Sequence, residues 1–137
     1  IDREVVVARK DSTVSKLADV SGLTAAQSAT SNHRTEAEKL GAQIETVPGF
    51  VESLALITEK RVDVTLNSRL AVLEYLTNNK SSGLKIAATF TSADKQALVT
   101  LKTNKYASKL NEALKALLAD GTIAKIGKKY FGSDVSK

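Results

Sequence analysis

Between residues 23 and 79 the chain alternates three times between a short strand-like run and a longer helical pattern, with few residues in between. LTAAQ (23–27) precedes HRTEAEKLG (33–41), AQIETV (42–47) precedes FVESLALITEK (50–60), and VDVTL (62–66) precedes LAVLEYLTNN (70–79). A strand, a helix and a further strand at such short spacing must cross over. That predicts neighbouring strands running parallel, with helices laid on the sheet. Gly41 stops the first helix, and Pro48-Gly49 marks the turn into the second, where Phe50, Leu54 and Ile57 share one face. No other feature limits the fold so strongly.

The flanks add a strand at EVVVA (4–8), a short helical turn at VSKLADV (14–20) and a strand at LKIAATF (84–90). Beyond them the repeat stops. The polar connector TSADK leads to QALVTLKT (96–103), which reads as a strand, and then to two helices separated only by Asp120-Gly121. Leu110, Leu114, Leu117 and Leu118 form one stripe on the first, and Ile123, Ile126 and Phe131 line the second. Residues 91–137 are therefore expected to pack as a different unit from residues 10–89.

Composition removes several chemistries. The 137 residues suffice for one ordinary domain, 42% of them apolar and 26% charged, the balance of a globular chain. Without Cys there are no disulfides, thiol nucleophiles or thiolate metal sites, and with His33 as the single imidazole no multi-histidine centre. No metal and no cofactor is expected. The net charge of +5 suggests nucleic acid, but the lysines from Lys102 to Lys137 are spaced along amphipathic helices. Aromatic residues are only 4%, too few for a stacking platform, so nucleic acid is not an expected partner. No apolar run reaches membrane-spanning length. The opening IDREVVV has neither an initiator Met nor a signal-peptide core, as a processed export signal or a fragment of a longer protein would leave it.

Two polar corners carry the candidate site. In an open α/β sheet ligands sit beyond the carboxyl ends of the strands, where helix N-termini present free N–H groups. SATSN (28–32) is one such junction: Ser28, Thr30, Ser31 and Asn32 surround unpaired backbone N–H groups that suit a carboxylate. The simpler reading is that one of them caps the helix. The second junction holds Asn67, Ser68 and Arg69 at the end of VDVTL. Asn67 and Ser68 could accept from an ammonium group, and Arg69 could pair with a ligand acid or lie on the surface. Asp63 is ~13–17 Å away along an extended strand, so it anchors the preceding turn instead. Catalysis finds no base: His33 sits in the first turn of a polar helix, Glu36 and Glu38 do not share a face, and no phosphate loop is present.

The segments GLTAAQSATSN, EKRVDVTLNSRLAVLEYL and LLADGTIAKIGKKYFGSDVS, in this order, resemble the polar amino-acid-binding proteins of bacterial ABC importers, the family 3 solute-binding proteins. VVVARKDSTVSKLADVSG is similar to that family's entry into its second lobe, and TLN-x-RLAVLEYL is nearest its cystine-binding branch. The resemblance implies an α/β periplasmic-binding-protein-like fold, with one complete βαβ lobe plus the C-terminal part of the other. Residues 1–9 would be the first hinge crossing, 10–86 the second ligand-binding lobe, 87–92 the return crossing, and 93–137 the C-terminal strand and helices of the first lobe. The rest of that first lobe has no counterpart here, so apolar stripes are expected to be exposed, and to be covered by a homodimer, a domain swap or a rearranged attachment.

The family's turn is usually Ser-Gly-Thr, its Thr and the next residue meeting the ligand carboxylate; these positions match Thr30 and Ser31, with Ala29 where Gly is usual. An Asp five residues after the Asp of the VDA stretch usually holds the ligand ammonium, and counting from Asp63 gives Ser68. An ammonium buried without that carboxylate loses ~2–5 kcal/mol of charge compensation. The resemblance implies a non-enzymatic protein that is exported, lipid-anchored or periplasmic, that binds a small amino-acid ligand, cystine among the candidates, and that delivers it to an ABC permease. The alternative is a binding fold that has given up its amino acid for adhesion or sensing.

Overall fold

The computed structural model describes residues 1–136. Five strands form one sheet: β1 (Glu4–Arg9), β2 (Thr24–Ser28), β3 (Gln43–Val47), β4 (Val64–Ser68) and β5 (Leu84–Thr89), in the order β3-β2-β4-β1-β5. Its helices are α1 (Asn32–Lys39), α2 (Phe50–Thr58), α3 (Arg69–Asn78), α4 (Ala107–Ala119) and α5 (Thr122–Phe131), with a 3-10 turn at Leu17–Val20.

Strand β1 explains why the sheet needs cover on both sides. Val5, Val6, Val7 and Ala8 are all fully buried, so alternate residues face opposite sides and each side must be apolar. Val5 and Val7 pack with Leu54, Ile57 and Val72 of α2 and α3. Val6 and Ala8 pack with Val20, Ala37, Val64 and Leu66 on the other face.

Topology accounts for that division. From β2 the chain moves outward through α1 to β3, then back past β2 through α2 to β4. Such crossovers are almost always right-handed, so reversing direction puts the two helices on opposite faces. The step from β4 to β5 through α3 continues the second direction, and α3 joins α2's face. Gly41 ends the α1 unit at φ +84°, its carbonyl accepting from Gly22 N–H at 2.9 Å and its own N–H donating to the Glu38 carbonyl.

Two expectations need correction. The sheet is not wholly parallel: β2 runs parallel to β3 and β4, but β1 is antiparallel to both β4 and β5. EVVVA precedes the βα repeat and enters without a crossover helix, so nothing in the repeat governs its direction. Residues 96–103 form no strand. A strand exists only where a neighbour accepts its hydrogen bonds, and here Leu98, Val99 and Leu101 are 66%, 98% and 77% exposed. Helices α4 and α5 pack on each other and α5 on α3, and α4 buries no residue fully.

Candidate functional site

Successive crossovers move to opposite sides of the gap between the parallel strands β2 and β4, and both predicted corners lie there. Ala25 aligns with Val64, so three residues further along the parallel pair Ser28 and Asn67 stand level. Adjacent strands are ~4.8 Å apart, which puts the α1 and α3 N-termini side by side at one end of the sheet.

At the first corner the chain turns tightly, Ser31 N–H donating to the Ser28 carbonyl at 3.3 Å. Ser31 is the N-cap of α1: its Oγ accepts from His33 N–H at 3.1 Å. The capping reading thus holds for Ser31, and its hydroxyl hydrogen is still available to a ligand. Thr30 and Asn32 are exposed, and their side chains make no hydrogen bond among the described residues. Ser28 is half-buried at the mouth of the turn.

At the second corner Ser68 both ends β4 and caps α3, its Oγ 3.5 Å from Ala71 N. Asn67 turns its Oδ1 to Ser68 N–H at 2.8 Å. Arg69 lies against the N-terminal segment: its N–H donates to the Arg3 carbonyl at 2.7 Å, and Nη2 reaches the Ile1 carbonyl at 3.5 Å. Its Nε is buried with no hydrogen-bond partner among the described residues. Asp63 accepts from Thr24 N–H at 2.9 Å, fastening the start of β2 to β4 at the far end of the sheet, as the strand length required.

The structure adds residues to the corner that the sequence did not single out. Asp2, only 7% exposed, accepts from Ser68 Oγ at 2.5 Å and from Leu70 N–H at 3.3 Å, so it meets the first turn of α3 from across the chain. Glu4 lies opposite Ser68 across the β1–β4 pair. Its Oε1 is 2.7 Å from His33 Nδ1, and both side chains are largely buried, although His33 lies in the first turn of a polar helix. Gln27, buried beneath the corner, donates to Thr65 Oγ1 and to the Leu66 carbonyl, tying β2 to β4 where backbone pairing is sparse; Thr65 Oγ1 in turn donates to the Ala26 carbonyl at 2.8 Å. Asp2 just ahead of EVVVA and Glu4 at its start were the available signal, but their partners are more than 60 residues away for Asp2 and 29 for Glu4.

Chemically the corner offers hydroxyl and amide donors on one side, hydroxyl and carboxylate acceptors on the other. That suits a small zwitterion. Among the described residues no group of three or more His, Cys, Asp or Glu is placed to hold a metal ion.

Known proteins resemble the chain in sequence and in fold. No family model matches the chain. It is 42% identical to the L-cystine-binding protein TcyA of Bacillus subtilis over 98% of its own length and 51% of the relative's. It is 37% identical to a probable amino-acid ABC transporter-binding protein of Haemophilus influenzae, over 97% of the chain and 52% of the relative. Its fold matches the unliganded, open L-cystine solute receptor of Neisseria gonorrhoeae with a TM-score of 0.86 and 40% identity, over 99% of this chain and 59% of that one. The chain therefore spans about half the length of the curated relatives it matches. In sequence and in its α/β fold alike, the chain resembles the family 3 amino-acid-binding proteins of ABC transporters.

Proposed function

We propose that this chain belongs to the solute-binding component of an ABC importer, takes up a polar L-α-amino acid of the cystine class between two lobes, and passes it to a permease. The observation that carries this reading is the pair of polar corners set level on adjacent parallel strands, in a chain similar to two cystine-binding proteins. The ligand carboxylate sits against Thr30, Ser31 and Asn32 at the α1 N-terminus, within reach of Ser28, where charge-assisted hydrogen bonds and the helix dipole favour it. The ammonium faces Ser68 and Asn67. Arg69, turned toward residues 1–3, positions that segment and does not meet the ligand.

Residues 1–9 and 87–92 are the two crossings between lobes. In support, β1 and β5 are antiparallel neighbours that leave the sheet together, with Phe90 N–H donating to the Glu4 carbonyl and Asp2 and Asp94 exchanging backbone hydrogen bonds of 2.8 Å. Residues 10–86 form the second lobe, and residues 93–137 belong to the first, against whose remaining strands Leu98, Val99 and Leu101 pack. The name of one relative, a probable amino-acid ABC transporter-binding protein, supports a carrier that works outside the cytoplasmic membrane. Nothing in the relatives named above favours adhesion or sensing.

Calorimetric titration of the protein as the cell makes it, against the twenty L-amino acids and L-cystine, tests the reading. Micromolar or tighter binding of one of them is expected; no binding across the set would refute it.

A further inference from the structure

Asp2 is a nearly buried carboxylate, and none of the ion pairs among the described residues includes it. Burying a charge is costly unless something compensates it. Among the described residues its side-chain hydrogen bonds all come from uncharged groups: Oδ1 accepts from Arg3 N–H at 2.8 Å and Leu70 N–H at 3.3 Å, and Oδ2 accepts from Ser68 Oγ. The α3 N-terminus favours the anion but leaves its net charge in place. Glu4, the other acid at this corner, differs in having His33 Nδ1 against it at 2.7 Å.

Ser68 links Asp2 to the open side of the corner. Its hydroxyl hydrogen points to Asp2, and among the described residues the only other hydrogen bond of Oγ is the long one from Ala71 N–H. Ser68 is half-buried, so its oxygen still has room to accept from a ligand. A hydroxyl that donates to a carboxylate becomes a better acceptor, because each hydrogen bond in a chain polarises the next.

We propose, resting on the amino-acid-binding reading above, that Asp2 supplies the negative charge for the ligand ammonium, acting through Ser68 as an intervening hydrogen-bond link. An ammonium bonded to Ser68 Oγ would lie on the order of 4–5 Å from the Asp2 carboxylate. At the effective dielectric constant of a partly buried site, that attraction corresponds to roughly 20- to 500-fold in affinity.

The test is calorimetric affinity for the best-binding L-amino acid of the titration above, measured on the unmodified protein, Asp2→Asn, Ser68→Ala, and Asp2→Asn combined with Ser68→Asp, each with its melting temperature. Expected are losses of roughly 20- to 500-fold for Asp2→Asn and a substantial loss for Ser68→Ala, which keeps Asp2 but removes the link. The combined variant should recover most of the affinity, since it returns a carboxylate to the corner. Unchanged affinity in either single variant overturns the proposal, and so does a loss that Ser68→Asp fails to restore, since Asp2 would then matter only for positioning. Absence of amino-acid binding in the unmodified protein overturns the functional reading itself, which separates the two failures.

Discussion

Replacing Ser31 by Ala separates the two jobs assigned to one hydroxyl. In the free protein Ser31 Oγ accepts from His33 N–H at 3.1 Å and so satisfies one of the donors at the start of α1. Loss of such a cap costs about 1 kcal/mol. Unfolding entropy for a chain of this size makes that a fall of about 3–4 °C in melting temperature. In the proposed complex the same hydroxyl would donate to the ligand carboxylate, and a hydrogen bond to a charged group is worth ~1.5–3 kcal/mol, or roughly 10- to 150-fold in affinity. Ser31→Thr keeps the hydroxyl and should preserve most of both. Thermal denaturation followed by circular dichroism gives the first quantity and calorimetric titration the second. If Ser31→Ala melts early but binds as tightly as the unmodified protein, Ser31 is a cap and nothing more, and the carboxylate does not sit at this corner. If melting is unchanged, the cap itself is wrong.

Further outcomes follow from packing and local charge. Leu54, 1% exposed between α2 and β1, should cost ~2–5 kcal/mol when cut to Ala, visible as a reduced denaturant midpoint. Gly41→Ala places a Cβ 3.0 Å from Ser21 Oγ at φ +84° and should destabilise by about 1–2 kcal/mol in the same assay. Val99→Ser, at a residue 98% exposed, should shift the stability of the 137-residue chain alone by no more than ~0.5 kcal/mol, whereas in the protein as the cell makes it, where the rest of the first lobe would cover this segment, the same change should cost more. The Asp19 carboxyl is held below its ordinary value of 3.8, first by Ser15 N–H and then, against desolvation, by Lys16 N–H and Ser15 Oγ. A depressed value means the stabilisation is present above pH 3.8 and lost as pH falls through the lower folded value. Carboxyl chemical shifts followed by NMR should give an Asp19 midpoint below 3.8.

What the sequence made legible was local. Each βα unit carries its own signals: apolar runs of strand length, Ser31 and Ser68 at helix starts, Gly41 at a helix end. These are decided within a few residues, so α1, α2 and α3 appear close to where the pattern placed them. The error at residues 96–103 has the same origin. Their alternation is strand-like, but a strand is a property of two segments, and no other described segment pairs with them. The direction of β1 was hidden for a related reason, since an apolar run fits either orientation.

The site shows the same division between local and distant information, with a consequence for how a substituted corner should be judged. Asn67, Ser68 and Arg69 look, within their own segment, like a binding corner without an acid. Folding brings one in from the start of the chain: β1 runs antiparallel to β4, Glu4 aligns with Ser68, and two residues earlier Asp2 reaches the first turn of α3. Burial beneath Ser68 gives Asp2 a lower local dielectric than an exposed carboxylate would have, which strengthens its field at the corner even though it is one hydrogen bond further from a ligand. Its position also ties that field to residues 1–3, whose backbone is fixed by Asp94 on one side and Arg69 on the other. A change of Ser68 alone therefore acts on a charge that is already in place, and its effect depends on whether the hydroxyl that connects Asp2 to the open side of the corner is kept.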